Sequence, residues 1–129
     1  MINYAYMAGL IDADGCIWIS NVTAGIDISS KHLGFLEGIQ EHMGGRIAKN
    51  GKTSSGNSFF KLWWSGKGAA KLAREVRVFL RLKQEQCCLL LEYVDKMPGR
   101  GTGPGRIPLK RDMVWHVEAK VRMGALNHG

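Results

Sequence analysis

Residues 7–15 read Met-Ala-Gly-Leu-Ile-Asp-Ala-Asp-Gly, and this stretch constrains the fold more than any other part of the chain. Ala5, Gly9 and Ala13 recur every four residues, which is the spacing of one face of an α-helix, while larger apolar side chains lie on another face. A glycine inside a helix costs about 1 kcal/mol relative to alanine, so Gly9 indicates a place where another backbone comes close. We therefore predict a helix over residues 3–14, with a second copy of the same helix as the natural partner for its small-residue face.

The same stretch ends in an aspartate followed by a glycine. Gly15 is expected to adopt the left-handed conformation that ends a helix, which leaves Asp14 at the negative end of the helix dipole. A carboxylate is unfavourable there, and a bound cation reverses the penalty. If two such helices cross at Gly9 around a two-fold axis, both Asp14 side chains arrive near the axis and their repulsion favours a divalent metal. On this pattern alone, an ordinary amphipathic helix that simply stops at Asp-Gly remains an open alternative.

The nine-residue string resembles the signature of the LAGLIDADG homing endonucleases and differs from it only by Met7 in place of the leading leucine. The resemblance continues in the same order along the chain and covers roughly residues 4–95. Its further segments are Gly-Cys-Ile-Trp-Ile at 15–19, Phe-Leu-Glu at 35–37 with Gly44-Gly45 after it, and Phe-Leu-Arg-Leu-Lys-Gln at 79–84. Single-motif, phage-encoded members are the most similar. The resemblance implies an α+β fold of order αββαββα with additional C-terminal helices.

Composition agrees with one small basic domain. The chain has 129 residues, 45% of them hydrophobic, and 18 basic against 11 acidic residues give a net charge of +7, which favours a polyanionic partner. Three cysteines do not have the number or spacing of a disulfide framework or a zinc site, and we interpret them as reduced core residues. There is no secretory signal region and no apolar run of about 18 residues. We expect a soluble, intracellular protein without a membrane partner, most simply in a bacterial or phage-infected cytoplasm, although an organelle is also compatible.

The hydrophobic pattern predicts two β-hairpins that alternate with helices. The strands are expected at 16–20, 25–29, 46–50 and 59–65, with a turn at 21–24 and a loop at 51–58. The helices are expected at 31–43, 69–80, 84–97 and 109–127. We divide the chain into an endonuclease core at 1–97, a Gly/Pro/Arg linker at 98–108 and a C-terminal helix at 109–129 within the same domain.

Two hairpins form a four-stranded sheet whose faces differ. Ile17, Ile19, Ile26 and Ile28 alternate along their strands and are expected in the core, so the opposite face is polar, basic and partly aromatic. Such a face suits phosphate contacts and the reading of base edges in a DNA groove, although a solvated face remains the alternative for any single lysine. The predicted DNA-binding residues are Trp18, Ser20, Asp27, Ser29, Lys49, Lys52, Lys61, Trp63 and Arg81. Of the neighbours Trp63 and Trp64, only one can point outward.

The resemblance also implies a catalytic site. It assigns Asp14 and the main-chain carbonyl of Ala13 as ligands of Mg²⁺, which Mn²⁺ can replace, and Lys83 as the basic residue near the scissile phosphate. Hard cations held by carboxylates supply the charge that phosphodiester hydrolysis requires. Asp12 lies about 200° around the helix from Asp14, so the two do not chelate one ion, and we interpret Asp12 as polar support at the dimer interface with Ala5 and Gly9.

One implied position departs from the family pattern. A polar residue that orders water falls on Ile28 by direct count, so Asp27 or Ser29 would have to replace it. The first hairpin is also short, and a five-residue strand spans only about 17 Å, so either the DNA site is shorter or less strictly read, or the loops at 51–58 and 98–108 compensate.

The sequence therefore predicts a magnesium-dependent, site-specific DNA endonuclease that acts as a homodimer on a target with pseudo-palindromic halves. The resemblance implies cleavage of both strands across the minor groove with short 3′ overhangs, and links the enzyme to intron or intein mobility. The main alternative keeps the fold without cleavage, as an RNA-splicing maturase or a DNA-binding regulator. A small structural or ribosome-associated basic protein would explain the charge but not the nine-residue string.

Overall fold

The computed structural model describes residues 2–20, 23–52, 56, 58–96 and 110–128, without the side chains of residues 50, 52 and 110–114. The elements are α1 (Tyr4–Asp14), β1 (Gly15–Ile19), β2 (Ala24–Ser30), α2 (Leu33–Met43), β3 (Arg46–Lys52), β4 (Ser58–Ser65), α3 (Gly66–Val76), a 3₁₀ turn (Arg77–Phe79), α4 (Gln84–Lys96) and α5 (Lys110–His128). This order confirms the predicted αββαββα arrangement with a further helix after it.

The four strands form one antiparallel sheet of order β1-β2-β4-β3. Ile17 pairs with Ile26, and Ile28 pairs with Leu62, so their side chains share one face of the sheet. All four are buried under the helices, as the alternation predicted. No described helix covers the opposite face of the sheet. Among the described residues, no helix is long and apolar enough to cross a membrane.

Helix α1 begins and ends where the sequence predicts, but the glycine that follows it has a different conformation. The Asn3 side chain accepts a hydrogen bond from the backbone N–H of Tyr6 at 2.8 Å and caps the first turn. Gly15 has φ −87° and ψ 169°, so the expected left-handed conformation is wrong. Glycine is required there for space instead, because a Cβ atom would lie 2.7 Å from Ile11 Cα and 3.2 Å from the Asp27 carbonyl oxygen.

Helix α5 packs against β1 and α4. Ala119 and Met123 bury their side chains in the common core, and the Asn127 amide donates to the Ile17 carbonyl at 2.8 Å. The predicted linker at 98–108 lies outside the described residues.

Two local expectations need correction. Helix α2 begins at Leu33 rather than near residue 31, because β2 continues through Ser30, whose hydroxyl accepts from the His32 N–H at 3.0 Å. The cysteines are free, but only Cys87 is a core residue. Burial raises the pKa of its thiol to about 11, whereas Cys16 on β1 and Cys88 on α4 are exposed residues.

Candidate functional site

Asp14 closes helix α1 with an exposed carboxylate. That carboxylate forms no hydrogen bond or ion pair with any other described residue. Ala13, which precedes it, is also exposed. The C-terminal end of a helix carries partial negative charge, so this corner of the molecule concentrates oxygen ligands and negative potential where solvent can reach them.

Lys83 brings a positive charge to the same helix end. Its ammonium donates to the Ile11 carbonyl at 2.9 Å and also to the Gly15 carbonyl, the two residues that flank the last turn of α1. The side chain is half-buried. Since an ammonium has three N–H groups, one remains for a further acceptor. The two groups that the sequence assigned to catalysis, almost seventy residues apart in the chain, therefore meet at one end of α1.

Asp12 connects this helix end to the start of α4. Its Oδ2 accepts from the Arg81 N–H at 2.8 Å, and its Oδ1 accepts from the N–H groups of Leu82 at 3.1 Å and Lys83 at 3.0 Å. These three bonds fix the turn at residues 81–83 that leads into α4, and with it the backbone that carries the Lys83 side chain. The expected supporting role of Asp12 thus has a defined geometry within one chain, while its place at a dimer interface stays a prediction.

The uncovered face of the sheet contains an open groove of about 440 Å³, which we call the sheet groove. Its lining residues are Trp18, Asp27, Ala48, Lys61 and Trp63. Trp64 points the other way into the core, where its indole N–H donates to the Met43 carbonyl at 3.0 Å. The expectation that only one of the two adjacent tryptophans points outward is confirmed.

Trp18 lies flat against the backbone of its neighbouring strand. A Cβ atom added to Gly25, its pairing partner, would approach within 2.7 Å of Trp18 Cη2 and 2.6 Å of the Trp64 carbonyl oxygen. Gly25 therefore provides the space in which the indole rests, and the indole forms one wall of the sheet groove.

Asp27 and Lys61 form an ion pair in this groove, with 3.8 Å between Asp27 Oδ2 and Lys61 Nζ. Burial raises the pKa of the Asp27 carboxyl above its ordinary 3.8, and the Lys61 ammonium and the Trp18 indole N–H only partly oppose this increase. Burial and the neighbouring Asp27 also raise the pKa of the Cys16 thiol. The groove therefore holds a carboxyl group whose ionisation is disfavoured by its surroundings.

Comparison with known protein families and with curated proteins finds no match. Solved structures do match. I-CvuI in complex with its target superposes with a TM-score of 0.76 at 20% identity, over 98% of this chain and 82% of that one. The archaeal intron-encoded I-Vdi141I complexed with DNA gives 0.74 at 16% identity, over 95% and 82%. The LAGLIDADG meganuclease I-AabMI bound to uncleaved DNA gives 0.72 at 22% identity, over 92% of this chain and 44% of that one.

The chain has the LAGLIDADG homing-endonuclease fold. This confirms the fold expected from residues 7–15 and from the order of the segments that follow them.

Within the LAGLIDADG fold, the other predicted DNA-binding residues lie in different places, and not all of them are on the uncovered face of the sheet. Ser29 is exposed and pairs with Lys61 at the edge of the sheet groove. The Ser20 hydroxyl lies at the hairpin turn, where it donates to the Thr23 carbonyl at 3.0 Å. Arg81 is exposed beside Asp12 rather than on the sheet. Ile28 is buried, so Asp27 and Ser29 are the side chains that reach solvent where the resemblance implies a water-ordering residue.

Strand β3 gives one correction and one omission. Lys49 pairs with Phe60, in the register of Ile47 and the helix-covered face, so its expected position beside Trp18 is wrong. Arg46, which pairs with Trp63, occupies the outward register instead, and the sequence reasoning missed it. Lys52 ends the strand, and its side chain lies outside the described part of the chain.

The signal for the correct register was present in the sequence. Ile47 is the apolar residue of β3 that packs against the core, and anchoring the alternation on it places Arg46 and Ala48 outward. An irregularity between Lys49 and Gly51 then ends the simple alternation before the strand closes.

Proposed function

We propose that this chain is a metal-dependent, site-specific double-strand DNA endonuclease that acts as a homodimer. The observation that carries the proposal is the exposed Asp14 carboxylate, which has no partner among the described residues, at the helix end where Lys83 presents its ammonium. The LAGLIDADG fold and the uncovered groove with its tryptophans and lysine support DNA as the substrate. The similar structures of I-CvuI, I-Vdi141I and I-AabMI each contain DNA.

Asp14 and the Ala13 carbonyl fit a hard divalent cation, Mg²⁺ or in its place Mn²⁺. Both groups offer oxygen, both residues are exposed, and the Asp14 carboxylate has no partner in the described chain to displace. Asp12 is committed to the three N–H groups of residues 81–83, so it does not compete for the ion. A cation held here would activate a water and neutralise charge on the leaving oxygen.

Lys83 acts on the developing charge of the scissile phosphate. Two of its N–H groups are held by the carbonyls of Ile11 and Gly15, and the third is available to a phosphate oxygen or an attacking water. Because the ammonium is already fixed, little reorganisation is needed when charge grows in the transition state. The sheet groove meanwhile holds the DNA, with Lys61 and Trp63 among its contacts.

The two-fold arrangement follows from the exposed face of α1. Ala5, Gly9 and Ala13 are all exposed, and a Cβ atom at Gly9 would meet nothing within 4 Å in its own chain. The space at Gly9 supports a close approach of a second copy of α1, which would bring two Asp14 carboxylates together, one for each DNA strand. The coverage of only 44% of I-AabMI agrees with two copies of this chain doing the work of one longer protein.

A cleavage selection tests the proposal. The protein is incubated with Mg²⁺ and a randomised double-stranded DNA library, and the ends produced are sequenced, with a chelator and the Asp14→Asn variant as matched controls. We expect one sequence motif with two related halves and a constant stagger between the strands, absent from both controls. Ends without a common motif, or ends that persist in the Asp14→Asn control, would overturn the assignment. Sequence-specific binding without cleavage would favour a DNA-binding regulator, and selective binding of structured RNA would favour a maturase.

A further inference from the structure

Asp27 and Lys61 form their ion pair at the middle of the uncovered sheet face. Asp27 lies on β2 and Lys61 on β4, the two central strands, and Trp18 and Trp63 line the same groove. The Asp27 side chain is 15% exposed and the Lys61 side chain is 31% exposed. The distance of 3.8 Å between Asp27 Oδ2 and Lys61 Nζ is longer than a hydrogen bond. Each group therefore keeps hydrogen-bonding capacity toward a molecule that enters the groove.

The Lys61 ammonium and the Trp18 indole N–H only partly offset the cost of a carboxyl group at this place. Its burial disfavours the ionised form, and its negative charge repels the phosphates of a bound DNA. Lys61 alone would serve a backbone contact better. A donor on the DNA that bonds to the Asp27 carboxyl group would explain why Asp27 accompanies Lys61. The hydrogen-bond donors in the major groove are the amino groups of cytosine and adenine.

The order of groups on a base pair separates these two donors. A G·C pair presents two neighbouring acceptors, guanine N7 and O6, followed by the cytosine N4 donor, whereas in an A·T pair the adenine N6 donor lies between two acceptors. An ammonium and a carboxyl group side by side match the first order. In the second order Lys61 can cover only one of the acceptors beside N6, and the other acceptor would repel Asp27. Guanine O6 and cytosine N4 are about 2.9 Å apart, within reach of protein groups 3.8 Å apart.

We propose that Asp27 and Lys61 read a single G·C base pair in each half of the DNA target, with Lys61 on guanine O6 and N7 and Asp27 on cytosine N4. This inference rests on the proposed function, in which the sheet groove faces DNA. Trp18 and Trp63 line the same groove and bound the space on either side of the pair.

A binding selection in calcium without magnesium tests the assignment. Bound sequences from a randomised DNA library are compared for the wild-type chain, Asp27→Asn and Lys61→Met. Asparagine reads adenine through its N6 and N7, so Asp27→Asn is expected to lower the preference for cytosine about tenfold and to raise that for adenine at one position. Lys61→Met is expected to lower the preference for guanine about tenfold at the partner base of the same pair.

Lys49→Met is the matched control, because Lys49 is exposed and lies in the opposite register of the sheet. It is expected to leave every base preference unchanged. Circular dichroism confirms that each variant folds, and Asp27→Asn is isosteric, so it serves as the second test if Lys61→Met does not fold. Three outcomes would overturn this inference alone. They are base preferences that stay at wild-type values in both variants, changes that fall at two different base pairs, and a wild-type preference for A·T at this position. A wild-type chain that selects no DNA sequence would overturn the proposed function as well.

Discussion

Replacing Asp12 by alanine tests whether the start of α4 is what fixes Lys83. The change removes the acceptor of three backbone N–H groups, those of Arg81, Leu82 and Lys83. A fully buried hydrogen bond to a charged group contributes about 1.5–3 kcal/mol, but Arg81 and Leu82 are exposed and water replaces much of what they lose. A typical hydrogen bond contributes about 0.5–1.5 kcal/mol net, so for these three bonds we expect the free energy of unfolding to fall by about 2 kcal/mol and the Tm by about 8 °C.

The same substitution should impair cleavage more than stability. Once the backbone at Lys83 is free to shift, a displacement of about 1 Å at the ammonium lowers the rate about 10²-fold. Urea unfolding measures the first effect, and single-turnover cleavage at saturating protein measures the second. Both experiments are run at a temperature where the variant remains folded.

Asp12→Asn is the matched control, because its Oδ1 can keep the bonds to Leu82 and Lys83 while its amide turns a donor toward the Arg81 N–H. We expect losses between those of the wild type and Asp12→Ala in both assays. Wild-type stability together with a wild-type rate in Asp12→Ala would refute the reasoning. A lost rate at unchanged stability would show that Asp12 acts elsewhere, for example across the two-fold axis.

Four further substitutions address the site and its assembly. Asp14→Asn should abolish cleavage and leave DNA binding equal or tighter, since a repulsive charge is removed, and retained cleavage in a gel assay would contradict its role as a metal ligand. Lys83→Met should lower the single-turnover rate about 10²-fold with little change in affinity, whereas equal losses in both would make it a phosphate anchor. Gly9→Val should give a folded monomer or misaligned dimer without cleavage, and a wild-type chain that sediments as a monomer on its DNA site would reject the two-fold arrangement. Asp27→Asn should raise the urea midpoint at pH 7, because the folded-state pKa of Asp27 is raised and its ionisation costs stability. This advantage of the variant should shrink as the pH falls through the folded-state pKa and vanish below about 3.8, where the carboxyl group is protonated in both states. A difference in midpoint that does not depend on pH would contradict the prediction.

The arrangement of elements could be predicted because each carries its own local signal. Alternating isoleucines define the inner face of β1 and β2, and Trp63 and Trp64 divide between the faces because adjacent strand residues must. The meeting of Asp14 with Lys83 was expected only through the family resemblance. No local pattern relates two residues that lie so far apart in the chain.

The remaining features depend on contacts that only the folded chain creates. The carboxylate of Asp12 was expected to give polar support at a dimer interface, and its partners at residues 81–83 within the same chain follow from how the segment before α4 docks on α1. The conformation of Gly15 was predicted from helix-ending statistics, while the structure selects glycine because the Ile11 and Asp27 backbones leave no space for a side chain. Lys49 was placed on the wrong face because alternation within one strand fits two registers until a core residue is used as the anchor.

The contact of Trp18 with Gly25 makes one wall of the sheet groove depend on a residue that has no side chain. Any side chain at Gly25 would displace the indole and with it that wall. A smaller residue at position 18 would not make other residues acceptable at position 25, because the Trp64 carbonyl oxygen lies 2.6 Å from the same Cβ position. Libraries for redesigned specificity should therefore vary position 18 while they keep glycine at position 25.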